Sequence, residues 1–413
     1  MAAVRVSTRI DRLRPENPRP PPRRSPAAPA PLQEEPPVHL TASKRAAITL
    51  ALGATCVLAA QGLALPSAQA APTTTATSAA SPVTAAETAV ARGLAASLAD
   101  PGWRGRVRSA ALGSGQVDLA RLTSGGAAPA ALAGAVTAAD LKIAAAKGLG
   151  AQTGSLLRVR LGADSMKAAL TPDTAPLVAV AADDDNGAAV TAYDSAGRAH
   201  TLSARQTPQQ PVYVVDVDVA KATATGLAQV DKAFSQAGLS APATSTTATT
   251  GGYWTTKINS VYLNDDEEPW ILGDAEIFSL VSGFGFDGKV RVDTVDMPYL
   301  DNDHTTYYPN QILANWSSYK YNLADVVMME DDGDTNYATL AKALADALLT
   351  ITDQGAYVPL VDAILAAIPS SWYTNDADYV DSWYTLAQTS SGQLNGARGN
   401  GRMTVEPYFV QQF

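Results

Sequence analysis

Along the first 250 residues the apolar positions switch between two spacings. Ala85 to Leu98 carries Val90, Leu94 and Leu98 one turn apart, and Val136 to Leu149 repeats the habit with Leu141, Ala144 and Ala145. Both stretches predict helices with one apolar face. Leu156 to Leu161 alternates Leu and Val with Arg, and Pro176 to Ala181 is a short apolar run, so each predicts a strand. Ala189 to Tyr193 and Arg198 to Leu202 flank Asp194-Ser195-Ala196-Gly197, the pattern of a hairpin. Val212 to Val217 predicts another strand and Ala220 to Ala237 another helix.

Beyond residue 252 the pattern becomes strands joined by acidic turns. Ile258 to Leu263 runs into Asn264-Asp265-Asp266-Glu267-Glu268-Pro269. Ala275 to Val281, the Gly-rich turn Ser282 to Gly288, and Val290 to Met297 follow, then the acidic loop Asp301-Asn302-Asp303. Ala324 to Met329 ends in Glu330-Asp331-Asp332-Gly333-Asp334. Two amphipathic helices interrupt the strands. One carries Leu340, Leu344 and Leu348; the other carries Leu360, Ile364 and Ile368, bracketed by Pro359 and Pro369. A third acidic cluster, Asp376, Asp378 and Asp381, precedes the strand Trp383 to Leu386, and Met403 to Val410 closes the chain. The expected fold class is α+β: an N-terminal α+β domain, then an antiparallel β-sandwich with a two-helix insertion at 336–368.

Ser240 to Thr250 reads SAPATSTTATT and ends in Gly251-Gly252, a linker composition. Beyond it lie five of six Trp and 13 of 15 Tyr, with 23 acidic against 7 basic residues. We expect domains at 71–239 and 253–413 joined through 240–252.

The first 70 residues read as a leader. Lys44-Arg45 precede the apolar run Ala46 to Leu65, and Pro66-Ser67-Ala68-Gln69-Ala70 supplies an A-x-A cleavage pattern before Ala71. Export, with no permanent membrane anchor, is the expectation. Residues 1–37 are Arg- and Pro-rich, so translation from Val38 would give a more compact leader. The chain's one Cys, Cys56, lies inside the apolar run, which leaves no disulfide framework in the processed form.

A net charge of −10 and a pI of about 4.8 argue against nucleic acid as a partner, because the field would repel phosphates. Nucleophile chemistry finds few partners. His200 and His304 are the histidines of the processed chain, and no G-x-S-x-G accompanies them. Carboxylates, by contrast, gather at strand-end loops. Asp265, Asp266, Asp274, Glu330, Asp332, Asp334, Asp378 and Asp381 form a candidate calcium set, since calcium takes six to eight oxygens and offsets carboxylate repulsion. Residues 331–334 lack the spacing of an EF-hand loop. Solvation of the domain is the competing role for the same acids. Trp270, Tyr307, Tyr308, Trp316, Tyr337, Trp372, Tyr373 and Tyr379 interleave with these loops, as core residues or, where exposed, as platforms for a sugar ring.

The motifs Leu263-Asn264-Asp265-Asp266-Glu267-Glu268-Pro269-Trp270, Gly273-Asp274-Ala275-Glu276-Ile277, Met297-Pro298-Tyr299, Tyr308-Pro309-Asn310-Gln311 and Asp376-Ala377-Asp378-Tyr379-Val380-Asp381-Ser382 resemble a family of secreted bacterial proteins, the domain of unknown function numbered 3103. That resemblance covers most of the processed chain and implies no activity. A fainter one links the acidic loops to the calcium- and lipid-binding β-sandwich of protein kinase C and synaptotagmin. There Asp265, Asp266 and Asp274 would answer to the first loop, and Glu330, Asp332, Asp334, Asp378 and Asp381 to the third. The 336–368 helices and the missing S-D-P-Y signature depart from it.

The sequence reading is an exported, calcium-binding or calcium-stabilised binding module, with carbohydrate or another cell-surface ligand as partner. Its rivals are a secreted carbohydrate hydrolase with a carboxylate pair and a metal-free interaction protein.

Overall fold

Among the described residues, five of the seven helices start on a short polar side chain that accepts from an otherwise unpaired backbone N–H. Ser81 Oγ accepts from Thr84 N (3.1 Å) to open α1 (Pro82–Ser97), and Asp100 accepts from Trp103 N (2.6 Å) to open α2 (Pro101–Ser114). After β1 (Gln116–Asp118), Asp118 caps α3 (Leu119–Ser124), and α4 (Ala130–Ala146) follows. In the computed structural model, the residues described are 81–413 without 127, 182–188, 241–250, 266–270, 272–274, 332–334, 369–378 and 412–413. The leader, the Val38 start and most of the expected linker lie outside them. Among the described residues no helix is long and apolar enough to cross a membrane.

The first sheet is built from β1, β2 (Leu157–Leu161), β3 (Leu177–Val180), β4 (Ala189–Tyr193), β5 (Ala199–Ser203) and β6 (Val212–Val217), in the order β1-β2-β6-β3-β4-β5. All its pairings are antiparallel except β3–β6. The central strands β3 and β6 are buried along their whole length, which accounts for their unbroken apolar sequence. Asp218 then caps α5 (Val219–Ala237), which ends at Gly238 in the left-handed conformation.

Two further sheets make the sandwich. One contains β7 (Gly252–Leu263), β10 (Thr306–Tyr307), β11 (Gln311–Asn315), β14 (Gly392–Asn395) and β15 (Gly401–Gln411); β7 pairs with β10, β11 and β15, and β15 with β14. The other runs β13 (Tyr379–Ala387), β12 (Leu323–Glu330), β8 (Ile277–Phe284), β9 (Val290–Asp296). Val261, Leu263, Ile277, Val281, Val326, Met328, Met403 and Val405 form the core between them. Their neighbours on the same strands, Phe278, Leu280, Val327 and Met329, point the opposite way. They join a second core with α5, α6 (Tyr337–Leu348), α7 (Val361–Ala367) and the first sheet. Thus β8 and β12 are buried on both faces, and one apolar core passes from residues before 240 to residues after 252. The fold is α+β, with sandwich sheets antiparallel throughout and α6 and α7 where the helical insertion is expected.

Register puts the acidic loops at one end of the sandwich. The pairs Glu330↔Ile277, Met329↔Tyr379 and Phe278↔Asp296 align the end of β12 with the starts of β8 and β13 and the end of β9. Leu263↔Gly401 aligns the end of β7 with the start of β15, and Gly401 N donates to Asp381 Oδ2 (2.6 Å), tying the two sheets there. The chain leaves from this end after Leu263, Asp296 and Glu330 and returns to it at Ile277 and Tyr379. The β8–β9 turn with Phe286 lies at the other.

Candidate functional site: a tyrosine groove at the acidic end of the sandwich

The segment between β9 and β11 folds back on itself to make a groove. Asn310 takes a left-handed backbone (φ 52°), a conformation Asn tolerates, and turns the chain after Pro309. Tyr299, Tyr307, Tyr308, Pro309 and Gln311 line an open cavity of about 480 Å³. Tyr308 is 73 % exposed. Tyr299 and Tyr307 lie with ring centroids 6.1 Å apart and planes tilted by 49°.

The hydroxyl of each of these two rings is fixed by hydrogen bonds. Tyr299 Oη donates to Gln311 Oε1 (2.6 Å), whose Nε2 donates to the Asp296 carbonyl (2.7 Å). Tyr307 Oη donates to Asp301 Oδ1 (2.6 Å), and Asn302 Nδ2 donates to both of these oxygens (3.0 and 2.9 Å). Burial pushes the Tyr299 phenol up from its ordinary pKa, with the Asp296 charge adding to it; burial and then Asp301 do the same for Tyr307. Both phenols therefore stay protonated donors at neutral pH. The result is an aromatic wall with its phenol groups tied down and the Gln311 amide at its edge, a concave surface of mixed apolar and polar character.

Of the proposed calcium ligands, Asp266, Asp274, Asp332, Asp334 and Asp378 lie outside the described residues. Asp265 is exposed, and its peptide is held by Asn400: Asp265 N donates to Asn400 Oδ1 (3.0 Å) and Asn400 Nδ2 to Asp265 O (2.9 Å). Glu330 ends β12, buried. Asp381 is fully buried, and its carboxylate accepts from the backbone N–H groups of Ser382 (2.7 Å), Arg398 (2.7 Å) and Gly401 (2.6 Å). It orders the 396–401 turn. Among the described residues no three His, Cys, Asp or Glu side chains group as a metal centre. His304, also left-handed (φ 53°), places Nδ1 3.2 Å from Tyr262 Oη, with the Arg402 guanidinium 3.5 Å above the Tyr262 ring. His200 faces Asp194 at 3.0 Å in the β4–β5 hairpin.

Sequence reasoning missed a buried polar knot behind the acidic end. Lys147, just past α4, is fully buried with Nζ 3.4 Å from Asp331 Oδ1. Asp331 Oδ2 accepts from Thr223 Oγ1 (2.6 Å) on α5 and from Tyr337 Oη on α6. A lysine beside a helix end and glycine reads as solvated, and Asp331 reads as one more acid in a run. Only the fold brings them together.

No curated protein and no solved structure matches this chain. A family model does, over residues 104–413, and its description is a protein of unknown function (DUF3103). The chain belongs to that family.

Proposed function

We propose that this protein is an exported binding module that takes a carbohydrate at the acidic end of its sandwich, with calcium ordering the loops there. One observation carries the reading: the groove of Tyr299, Tyr307 and Tyr308 is built from chain beside the ends of β9 and β7, at the end of the sandwich where Asp265, Glu330 and Asp381 sit. An aromatic as exposed as Tyr308 gains little from folding, whereas stacking on a sugar would remove its surface from water. Calcium enters because like charges leaving one end of a sandwich repel, and a divalent cation with oxygen ligands relieves that repulsion. The export reading rests on Lys44 to Ala70 in the sequence.

Affinity electrophoresis of the processed protein through gels containing neutral, amino-sugar or acidic polysaccharides tests the reading. Retardation by one class, without release of reducing sugar, is the expected result. Migration unchanged by every polysaccharide would contradict it, and steady release of reducing sugar would make the protein a hydrolase.

A further inference from the structure

The Lys147–Asp331 pair is arranged for more than an ion pair. Its two side chains are fully buried, so neither charge reaches water. Such pairs seldom repay their desolvation, and water-excluded surroundings favour reactions that discharge them. The two oxygens of Asp331 are treated differently. Oδ2 takes two hydroxyl donors, Thr223 Oγ1 at 2.6 Å and Tyr337 Oη, while Oδ1 faces Lys147 Nζ at 3.4 Å. Backbone bonding holds the partners in place: Tyr337 N donates to the Lys147 carbonyl (3.0 Å), and Asp331 N to the Glu276 carbonyl (3.1 Å).

We propose that Lys147 and Asp331 condense to an intramolecular amide. One proton passes from Nζ to Oδ1 within the pair, leaving a neutral amine and a neutral carboxyl group. Nζ then attacks Cγ, and the charge that develops on Oδ2 is held by the Thr223 and Tyr337 hydroxyls, as an oxyanion hole holds it. A second proton moves from Nζ to Oδ1, the Cγ–Oδ1 bond breaks, and one water leaves. The Nζ–Cγ amide keeps the remaining proton, and no oxidant or cofactor is needed. Fixed proximity supplies much of the rate for a condensation that is slow between free groups. The product would close a loop over a sequence separation of 184 residues, joining chain before the 240–252 segment to chain after it. In a processed chain without cysteine, this is the role a disulfide would otherwise fill.

Intact-mass analysis of the purified full-length processed protein tests the bond. The expected mass is one water below the sequence mass, with a branched peptide containing Lys147 and Asp331 in the digest. Cleavage at a protease site inserted between residues 240 and 252 should leave the two fragments joined in denaturant. Lys147→Arg should have the full sequence mass and release its fragments. Asp331→Asn should lose ammonia instead of water and reach the same final mass as the parent protein, which no merely structural ion pair would do. A parent protein at its full sequence mass, or fragments that separate in denaturant, overturns the proposal whether or not the variants fold.

Discussion

Asn400 pairs with the peptide of Asp265 as a neighbouring strand would, donating to its carbonyl at 2.9 Å and accepting from its N–H at 3.0 Å. The side chain of one loop thereby replaces a missing rung of the β7–β15 ladder. Through it the first acidic segment is tied to the 396–401 turn, whose N–H groups close around Asp381.

Because Asp381 answers three backbone N–H donors with one buried, acceptor-only group, it tolerates no donor in its place. Asp381→Asn would aim an NH₂ at one or more of those N–H groups and should lower unfolding stability by about 3 kcal/mol. Gly396→Ala should act at the same spot, since its Cβ would stand 2.1 Å from the Asp381 carboxyl carbon. Urea unfolding checks both; stability within error of the parent would mean that the turn is not held by Asp381.

Gly226 on α5 lies under the Tyr337 ring, and a Cβ there would meet ring carbons at 2.3 Å. Gly226→Ala gains helix propensity, yet overpacking against a fully buried ring should outweigh it, for a net loss of about 1–3 kcal/mol. A rise in melting temperature would show that α5 and α6 pack more loosely than described.

Much of the fold was legible from periodicity alone. β6 was expected at Val212–Val217 and stands there, and the hairpin around Asp194–Gly197 forms as β4 and β5. The misreadings have local causes. A glycine-rich turn was expected from Ser282, but β8 continues to Phe284 because Gly283 makes room for Tyr319, whose Cδ1 would be 2.7 Å from a Cβ. The arginine-rich α2 was not foreseen, since its buried face rests on Trp103, Val107 and Ala111 alone. At the site, Tyr307 and Tyr308 were singled out by composition, but their alliance with Tyr299 and Gln311 depends on the turn at Asn310. Asp381 showed its charge in the sequence; two of its three N–H partners, Arg398 and Gly401, come from a turn 17 and 20 residues on, which no local pattern encodes.

Acidic groups set partly into the fold should tilt the stability profile with pH. Asp293 accepts from Tyr319 Oη at 2.7 Å; burial pushes its carboxyl above the usual range against the pull of that hydrogen bond, with Asp231 adding to the rise and Arg291 opposing it. The folded state then binds a proton more tightly than the unfolded one, so this group's contribution falls as pH rises above about 4. Asp293→Asn keeps an acceptor for Tyr319 without the charge. Its stability relative to the parent should increase from pH 4 to pH 7 in urea titrations. Parallel profiles would place Asp293 in an environment wetter than its burial indicates.

Calcium should raise the melting temperature of the processed protein relative to EDTA, because a cation bound by the folded loops stabilises by mass action. At 100 times the dissociation constant the gain would be about 2.7 kcal/mol. Melting curves that coincide in millimolar calcium and EDTA would remove calcium from the account and leave the acids as a solvated rim.

The groove itself is tested most directly by one titration. Oligosaccharide from whichever polysaccharide retards the protein is titrated calorimetrically into the parent, Tyr308→Ala and Phe286→Ala. Phe286 is as exposed as Tyr308, 72 % against 73 %, but sits at the opposite end of the sandwich. The account predicts that Tyr308→Ala weakens binding at least tenfold, about 1.4 kcal/mol, while Phe286→Ala binds as the parent does. Equal affinity in the parent and Tyr308→Ala, or a loss confined to Phe286→Ala, would contradict it.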